Sequence, residues 1–223
     1  METEYEVQKS HVLENFNVQR IYNNIDLKKF HEISKTSARL NLNIKTDKYV
    51  ILYGANNPQS KRKGWNIFVE TLKKIDKSKY FLIIFGNFWS HKTLNEIGIE
   101  YRSLGFIDNY EKLNSIYSSA DFFVASSIQD GWPKTFAEAM YCNTPVICFK
   151  NTSIAEIVDH KINGYVVEDF DSNKLKNAIE WMSNQIKNKL IENNNIKNKI
   201  KNYGSIEIAQ KYIEFYKMVL SKK

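Results

Sequence analysis

Two carboxylates, Asp130 and Glu138, flank a turn into a helix, and their spacing is the first candidate for chemistry in this chain. The run Ser127-Ile-Gln-Asp-Gly-Trp-Pro-Lys-Thr-Phe-Ala-Glu-Ala-Met140 begins at a strand end and passes through a loop broken by Gly131 and Pro133. A helix starting near Lys134 or Thr135 offers free backbone N–H groups and the positive end of its dipole, which together favour an anion. Glu138 lies about one turn further in, where a carboxylate can accept two hydroxyl hydrogen bonds, as from a ribose. Asp130 sits in the loop, across the mouth from it. A plainer reading competes: Thr135-Phe-Ala-Glu138 has the form of a capping box, in which Glu138 only reaches back to its own helix start. Ser153-Ile-Ala-Glu156 has the same form, and there capping is the preferred reading. Spacing alone leaves the first box undecided.

The elements that must hold this constellation alternate along the chain. Val50-Ile-Leu-Tyr53 is a short apolar run ended by Gly54, and Trp65, Phe68, Val69, Leu72 and Ile75 follow at helical spacing. Phe81 to Phe85 is the next apolar run, closed by Gly86. Asp108 is positioned to cap a helix carrying Leu113, Ile116 and Tyr117, and Phe122 to Ala125 forms a strand. A helix through Glu138, a strand Val146 to Phe149, a helix from Ser153 and a short strand Tyr165 to Val167 come next. Asp171 then opens a helix with Leu175, Ala178, Ile179 and Met182 on one face. Short apolar strands interleaved with amphipathic helices predict an α/β fold, a Rossmann-like parallel sheet with helices on both faces. Ligands of such sheets bind beyond the carboxyl ends of the strands. Chemistry is therefore expected in the loops after Tyr53, Phe85, Leu104, Ala125 and Phe149.

The ends of the chain read differently. Residues 1–45 are a linker with the remnant of a first strand or helix, in which Gln19 to Tyr22 suits a strand and Asn23 to Asp26 a turn. Met1 to Asn17 is too short for a domain. Residues 46–202 form the Rossmann-like domain, and 203–223 a C-terminal helix. That helix carries Ile206, Ala209, Tyr212, Ile213, Tyr216 and Val219 at helical spacing, so it must pack on this domain or on another.

Composition narrows the class. With 223 residues, 43% hydrophobic and 26% charged, the chain matches a globular protein able to bury a substantial core. Tyr80 to Phe85 is far short of the roughly 20 apolar residues that a spanning helix needs. The acidic start Met-Glu-Thr-Glu-Tyr-Glu resembles neither a secretory signal nor a transit peptide, and a cytoplasmic location is expected. Cys142 and Cys148, in apolar settings, are expected as free buried thiols. His11, His31, His91 and His160 are scattered and read as structural or surface residues. The net charge of +7 raises anionic partners, but no stripe of Arg alternating with aromatics appears. Nucleic acid is not expected; a solvated basic face and peripheral contact with an anionic membrane are the two readings kept.

Family likeness decides between site and cap. Asp130 to Pro145 resembles the signature of the retaining GT-B glycosyltransferases (group 1, also called family 4): an acidic residue, seven others, a glutamate, Ala-Met, then a short turn to Pro-Val. Arg20-Ile-Tyr-Asn-Asn-Ile-Asp26, with Phe30 beyond, resembles the family's linker into its second domain. Tyr53-Gly-Ala55 with Arg62-Lys63-Gly64 resembles its first strand and phosphate loop. Leu104-Gly-Phe-Ile107, with Leu113, Tyr117 and Ala120-Asp121, resembles its base-binding loop and following helix, and Glu156-Ile-Val with Asn163-Gly-Tyr-Val-Val its closing segment. The likeness implies the C-terminal, donor-binding half of a GT-B fold. It implies that Glu138 holds the ribose hydroxyls of a nucleotide-sugar and that Asp130, where the family usually has glutamate, contacts the donor sugar. The backbone of Gly131, Lys134 and Thr135 would line the sugar and diphosphate, and main-chain groups near Phe106 and Ile107 the base. Lys63, helped by Arg62, would neutralise the departing diphosphate; the alternative is an ordinary basic loop.

The implied reaction moves a sugar from a nucleotide-diphosphate sugar to a glycan or lipid-linked acceptor with retention at the anomeric carbon. Neither cofactor nor metal is needed, and Asp169-Phe-Asp171 reads as a helix cap at Asp171 rather than a metal pair. Three departures stand out. The family's arginine soon after the first strand is replaced by Ala55-Asn-Asn57, leaving Arg62 as a substitute. Asp130 has one methylene less than glutamate. Asn151-Thr-Ser153 replaces a glycine pair and is expected to narrow the pocket. The family's acceptor domain has no counterpart here. Three accounts follow: a truncated piece of a longer enzyme, a donor subunit that pairs with a separate acceptor-domain subunit, or a nucleotide-sugar-binding module without transferase activity. A nucleotide-sugar epimerase shares the architecture, but none of its motifs is seen.

Overall fold

The computed structural model describes residue 16, residues 18–191 and residues 193–221, without the side chains of 193–195. His11 and nearly all of Met1 to Asn17 lie outside the described residues, so the readings made there go untested.

Six parallel strands form one sheet: β1 (Tyr49–Gly54), β2 (Tyr80–Phe85), β3 (Glu100–Ser103), β4 (Phe122–Ala125), β5 (Val146–Phe149) and β6 (Gly164–Val167). Their order is β3-β2-β1-β4-β5-β6. The chain therefore winds outward from β1 to one edge, then returns past it and winds to the other. The direction reverses between β1 and β4, and the crevice beyond the carboxyl ends at such a switch point is where sheets of this kind bind ligands.

Alternation along the central strands explains how both sheet faces are covered. Val50 and Leu52 of β1 join Phe123 and Ala125 of β4 in one buried cluster, whereas Ile51, Tyr53, Phe122 and Val124 join a second on the opposite face. The first face is covered by α4 (Tyr110–Ser119), α5 (Lys134–Tyr141) and α7 (Asn193–Ile200), through Ile116, Tyr117, Phe136, Met140, Ile196 and Ile200. The second is covered by α2 (Trp65–Lys74) and α6 (Ser172–Lys187), through Phe68, Leu72, Leu175 and Met182. Short helices α1 (Lys35–Asn41) and α3 (His91–Ile97) complete the layers.

Both cysteines are free and buried, as expected. Burial, together with the nearby Glu138 charge, pushes the Cys142 thiol up to about 12. Asp171 does cap α6, its Oδ1 accepting from the amides of Asn173 and Lys174 at 2.8 Å each, and Asp169 is engaged by Lys174.

Three local expectations need correction. The cap of α4 is Asn109, whose Oδ1 accepts from the Lys112 amide at 2.9 Å, and not Asp108. Gln19 to Tyr22 forms no strand; among the described residues of that region, the sheet-like pairing is a bridge between Ile25 and Gly204. Ser153–Glu156 is a single 3-10 turn whose preceding residue, Thr152, makes no side-chain cap. Its serine and glutamate serve other partners, described below.

The C-terminal helix exists as α8 (Ser205–Leu220). Ile208 is its one buried residue among those described, while Ile206, Tyr212, Ile213, Tyr216 and Leu220 are exposed. No described helix is long and apolar enough to cross a membrane.

Candidate functional site

At the switch point, the loop after β1 and the loop after β4 are locked together. Gly64 adopts φ 68°, and a Cβ there would lie 1.8 Å from the Ser126 carbonyl oxygen, so only glycine permits the approach. Ser126 Oγ donates across the junction, 2.9 Å from the Lys63 carbonyl oxygen. Tyr53 Oη, buried beneath, sits 3.1 Å from the carbonyls of Lys63 and Pro58. Burial drives the Tyr53 phenol well above its usual range, so it stays a donor. The Ile128 amide closes the clamp on the Arg62 carbonyl at 2.9 Å.

This clamp brings Arg62, Lys63 and Asp130 into one group, although 67 residues separate the last two. Lys63 Nζ contacts Asp130 Oδ2, and Arg62 Nη1 lies 3.8 Å from Oδ1. Asp130 and Lys63 have side chains only 9% and 14% exposed, whereas Arg62 is 55% exposed and reaches to the rim. Two cations against one carboxylate leave a net positive charge at the crevice.

The helix start beside this group is open. Pro133 precedes α5 and supplies no side-chain cap, so the first-turn amides of Lys134 and Thr135 lack a side-chain acceptor. Gly131 has nothing within 4 Å of where a Cβ would stand. Lys134 is exposed and Thr135 half-buried.

Glu138 does not reach back to this helix start. Its Oε2 accepts from Tyr117 Oη on α4 at 2.7 Å, and among the described residues no hydrogen bond reaches Oε1. The capping-box alternative for Thr135 to Glu138 is therefore overturned: the box lies inside the helix, one residue past its first position. Burial raises the Glu138 carboxyl above its ordinary 4.5, with Tyr117 and Lys134 pulling the other way. Tyr117 itself, wholly buried beside that charge, is held protonated. A carboxylate has about four acceptor positions, so one phenol leaves most of its capacity for a ligand's hydroxyls.

Phe106 and Ile107 lie in the loop after β3. The Gly86 amide donates to the Gly105 carbonyl at 2.8 Å, tying that loop to the end of β2. Phe106 is 62% exposed, while Ile107 packs on the core. This loop follows β3, two strands from β1, and is not part of the Lys63–Asp130 group.

Sequence reasoning missed several contributors. Tyr117 has no polar role in the sequence reading, as part of an apolar helix face and of the helix after the base-binding loop, although a buried tyrosine needs a polar partner and that need is a usable signal. Ser153, in the stretch expected to narrow the pocket, donates its Oγ to the Asp130 carbonyl at 2.9 Å and holds the loop. Glu156 accepts from Arg20 Nη2 at 2.5 Å and from Tyr22 Oη rather than capping its turn.

A larger cavity, about 610 Å³, lies at the other end of the sheet, lined by Lys35, Asp121, Asn143 and Lys189 among others. None of the candidate donor-site residues lines it, and it sits at the amino ends of β4 and β5. The crevice at the switch point is the better candidate, because the charges converge there.

Residues 34–204 match the family model described as glycosyl transferases group 1. The chain is 26% identical over 198 residues to an uncharacterized glycosyltransferase of Methanocaldococcus jannaschii, covering 83% of this chain and 49% of that one. Among solved structures, sucrose-phosphate synthase from Thermosynechococcus elongatus superposes with a TM-score of 0.84 at 22% identity, over all of this chain and 57% of its own. HepE of Anabaena, solved with UDP and glucose, gives 0.75 at 19% identity, over 89% and 56%. The chain thus spans about half the length of these relatives, and its fold is that of a Rossmann-like GT-B domain.

Proposed function

This chain belongs to the glycosyl transferases group 1 family, and from that premise we propose that it supplies the donor site of a retaining, family 4 type transferase. The substrate is a nucleotide-diphosphate sugar, and the acceptor is a glycan or a lipid-linked sugar. The observation that carries this reading is the meeting of Arg62, Lys63 and Asp130 beside an uncapped helix start, with Glu138 one turn deeper and half used.

Each group then has a part. Lys63 and Arg62, with the first amides of α5, take the diphosphate and stabilise the charge it gains as the sugar leaves. Asp130, next to them, takes a sugar hydroxyl. Glu138 accepts from the ribose through the oxygen that Tyr117 leaves open. The loop carrying Phe106 and Ile107 meets the base. A retained configuration fits departure of the diphosphate on the face from which the acceptor hydroxyl attacks, with the diphosphate taking that proton. In this reading the cations do the work of charge neutralisation without a metal. The acceptor is held by a second half, on the same polypeptide or another chain, against which the exposed apolar face of α8 packs. The solved complex of the Anabaena protein with UDP makes uridine the first base to test.

Calorimetric titration with UDP and GDP at fixed salt tests the reading. A preference for one base, with a dissociation constant in the micromolar range, is expected. Lys63→Ala should weaken it about tenfold or more. Equal, weak binding of both, collapsing together as salt rises, would mark a general anion patch and sink the proposal.

A further inference from the structure

We propose that the segment Arg20–Tyr22 is a positioning strap for the donor loop, acting through Glu156 and Trp132. The loop from Ser127 to Pro133 has no regular secondary structure of its own, yet it must hold Asp130 and deliver α5's open amides. Its first residues hang on Arg62, and Ser153 holds the carbonyl of Asp130. Trp132 holds its far end.

Trp132 is buried between two tyrosines that come from opposite ends of the chain. Its ring lies 4.5 Å from that of Tyr22 and 4.7 Å from that of Tyr203, and the two tyrosines meet edge to face at 5.5 Å. Trp132 Nε1 is buried without a hydrogen-bond partner among the described residues. An unpaired buried N–H is a cost, so the ring stays by packing on its neighbours and not by polar anchoring. Tyr22 is fixed in turn: its hydroxyl bonds Glu156, and the guanidinium of Arg20, ion-paired with the same carboxylate at 2.5 Å, lies 4.4 Å above its ring. The Ile25 amide bonds the Tyr203 carbonyl at 2.9 Å, tying the second tyrosine to the same strap.

Glu156 and Ser153 share one 3-10 turn, so strap and loop are held from one short element. Arg20 and Tyr22 precede residue 34, where the family match begins. Contacts spanning more than 130 residues thus connect the entry segment to the loop that meets sugar and diphosphate. Among the described residues, the hydrogen bonds and ring contacts of Arg20, Tyr22 and Trp132 run to Glu156, Tyr203 and one another, and none runs to the base loop or to Glu138. Loss of the strap should therefore weaken diphosphate binding selectively.

The inference takes the donor site as proposed above, and its test separates the two. Wild type, Tyr22→Phe, Glu156→Gln, Trp132→Ala and Trp132→Phe are compared for binding of UDP and of uridine (GDP and guanosine if that base is preferred), and for amide exchange. Trp132→Ala should lose about tenfold in diphosphate affinity, with nucleoside affinity unchanged. Tyr22→Phe and Glu156→Gln should lose about threefold, and Trp132→Phe should restore most of the loss. The bonded amides of the loop and its exit, Ile128 and Gln129 on the Arg62 carbonyl and Phe136 on that of Pro133, should exchange faster in Trp132→Ala and Tyr22→Phe, while those of α6 stay as in wild type. Equal losses for nucleoside and diphosphate, or unchanged exchange at Ile128, Gln129 and Phe136, would overturn the strap. If wild type binds neither nucleotide, the donor-site reading fails instead, and the exchange comparison still decides the strap. Should Trp132→Ala not fold, the Tyr22 and Glu156 variants carry the same comparison.

Discussion

Asp121 and Glu138 are both carboxylates set against the same sheet, one near the amino ends of its strands and one near the carboxyl ends, and they are treated in opposite ways. Asp121 is saturated. It accepts from the buried Val50 amide at 2.7 Å, from Arg39 at 2.8 Å and from Lys35 at 2.6 Å, which joins β1, α1 and the turn before β4. Glu138 has one phenol, a burial that disfavours its charge, and an oxygen without a hydrogen bond among the described residues. A carboxylate whose partners all come from the fold is a fastener. One that the fold leaves underserved, at the end where an uncapped helix and two cations converge, is placed for a ligand.

Removing the fastener should cost the most. Asp121→Ala strands the Val50 amide and two cations, and should lower stability by about 3 kcal/mol, less the share of the more exposed Lys35. That is roughly 6–12 °C in Tm for a chain of this size. The fraction still folded should bind UDP as wild type does. A loss of affinity matching the loss of stability would mean the two ends of the sheet are not independent.

Glu138→Ala should do the reverse. Losing the charged acceptor for ribose hydroxyls should weaken UDP by roughly 1.5–3 kcal/mol, about ten- to a hundredfold. If it instead lowered stability by about 1 kcal/mol and left affinity alone, Glu138 would be a structural group after all. Replacement by Gln sharpens the contrast through pH. Glu138 has a raised folded pKa, so the folded protein holds a proton that the unfolded chain releases near 4.5. Its burial therefore costs nothing below that value, and the cost grows as pH climbs through the raised pKa. Thermal melts should show Glu138→Gln above wild type at pH 7 and level with it near pH 4. UDP affinity of the wild type should fall as the pH drops through the same window, a slope that Glu138→Gln should lack.

How much of this was legible follows the same divide. The central strands were readable because a two-sided parallel sheet demands unbroken apolar runs, as in Phe81 to Phe85. The edge strand Glu100–Ser103 was not, since one neighbour and half-exposed side chains impose no apolar code. Spacing and family likeness point to Asp130 and Glu138, and likeness alone to Lys63. Tyr117, Ser153 and Glu156 were missed because their partners lie 21, 23 and more than 130 residues away. A local pattern such as Ser-x-x-Glu states which groups could bond within a turn. It does not state which tertiary partner will outbid that turn.

The start of α4 provides the smallest and most local test of that point. Both Asp108 and Asn109 stand where a helix cap is chemically reasonable, and the aspartate, with its charge beside a helix start, is the more obvious choice. The structure uses Asn109, because the loop leaving Ile107 turns at that residue, with φ −102° and ψ 122°, and its Oδ1 then meets the Lys112 amide. Asn109→Ala should cost about 1 kcal/mol in denaturant unfolding, and Asp108→Ala only a few tenths through the dipole. Neither should alter UDP affinity by more than twofold, although this helix start follows directly on the base loop. A larger change in Asp108→Ala would place that carboxylate in the ligand's field and extend the underserved end of the sheet by one residue.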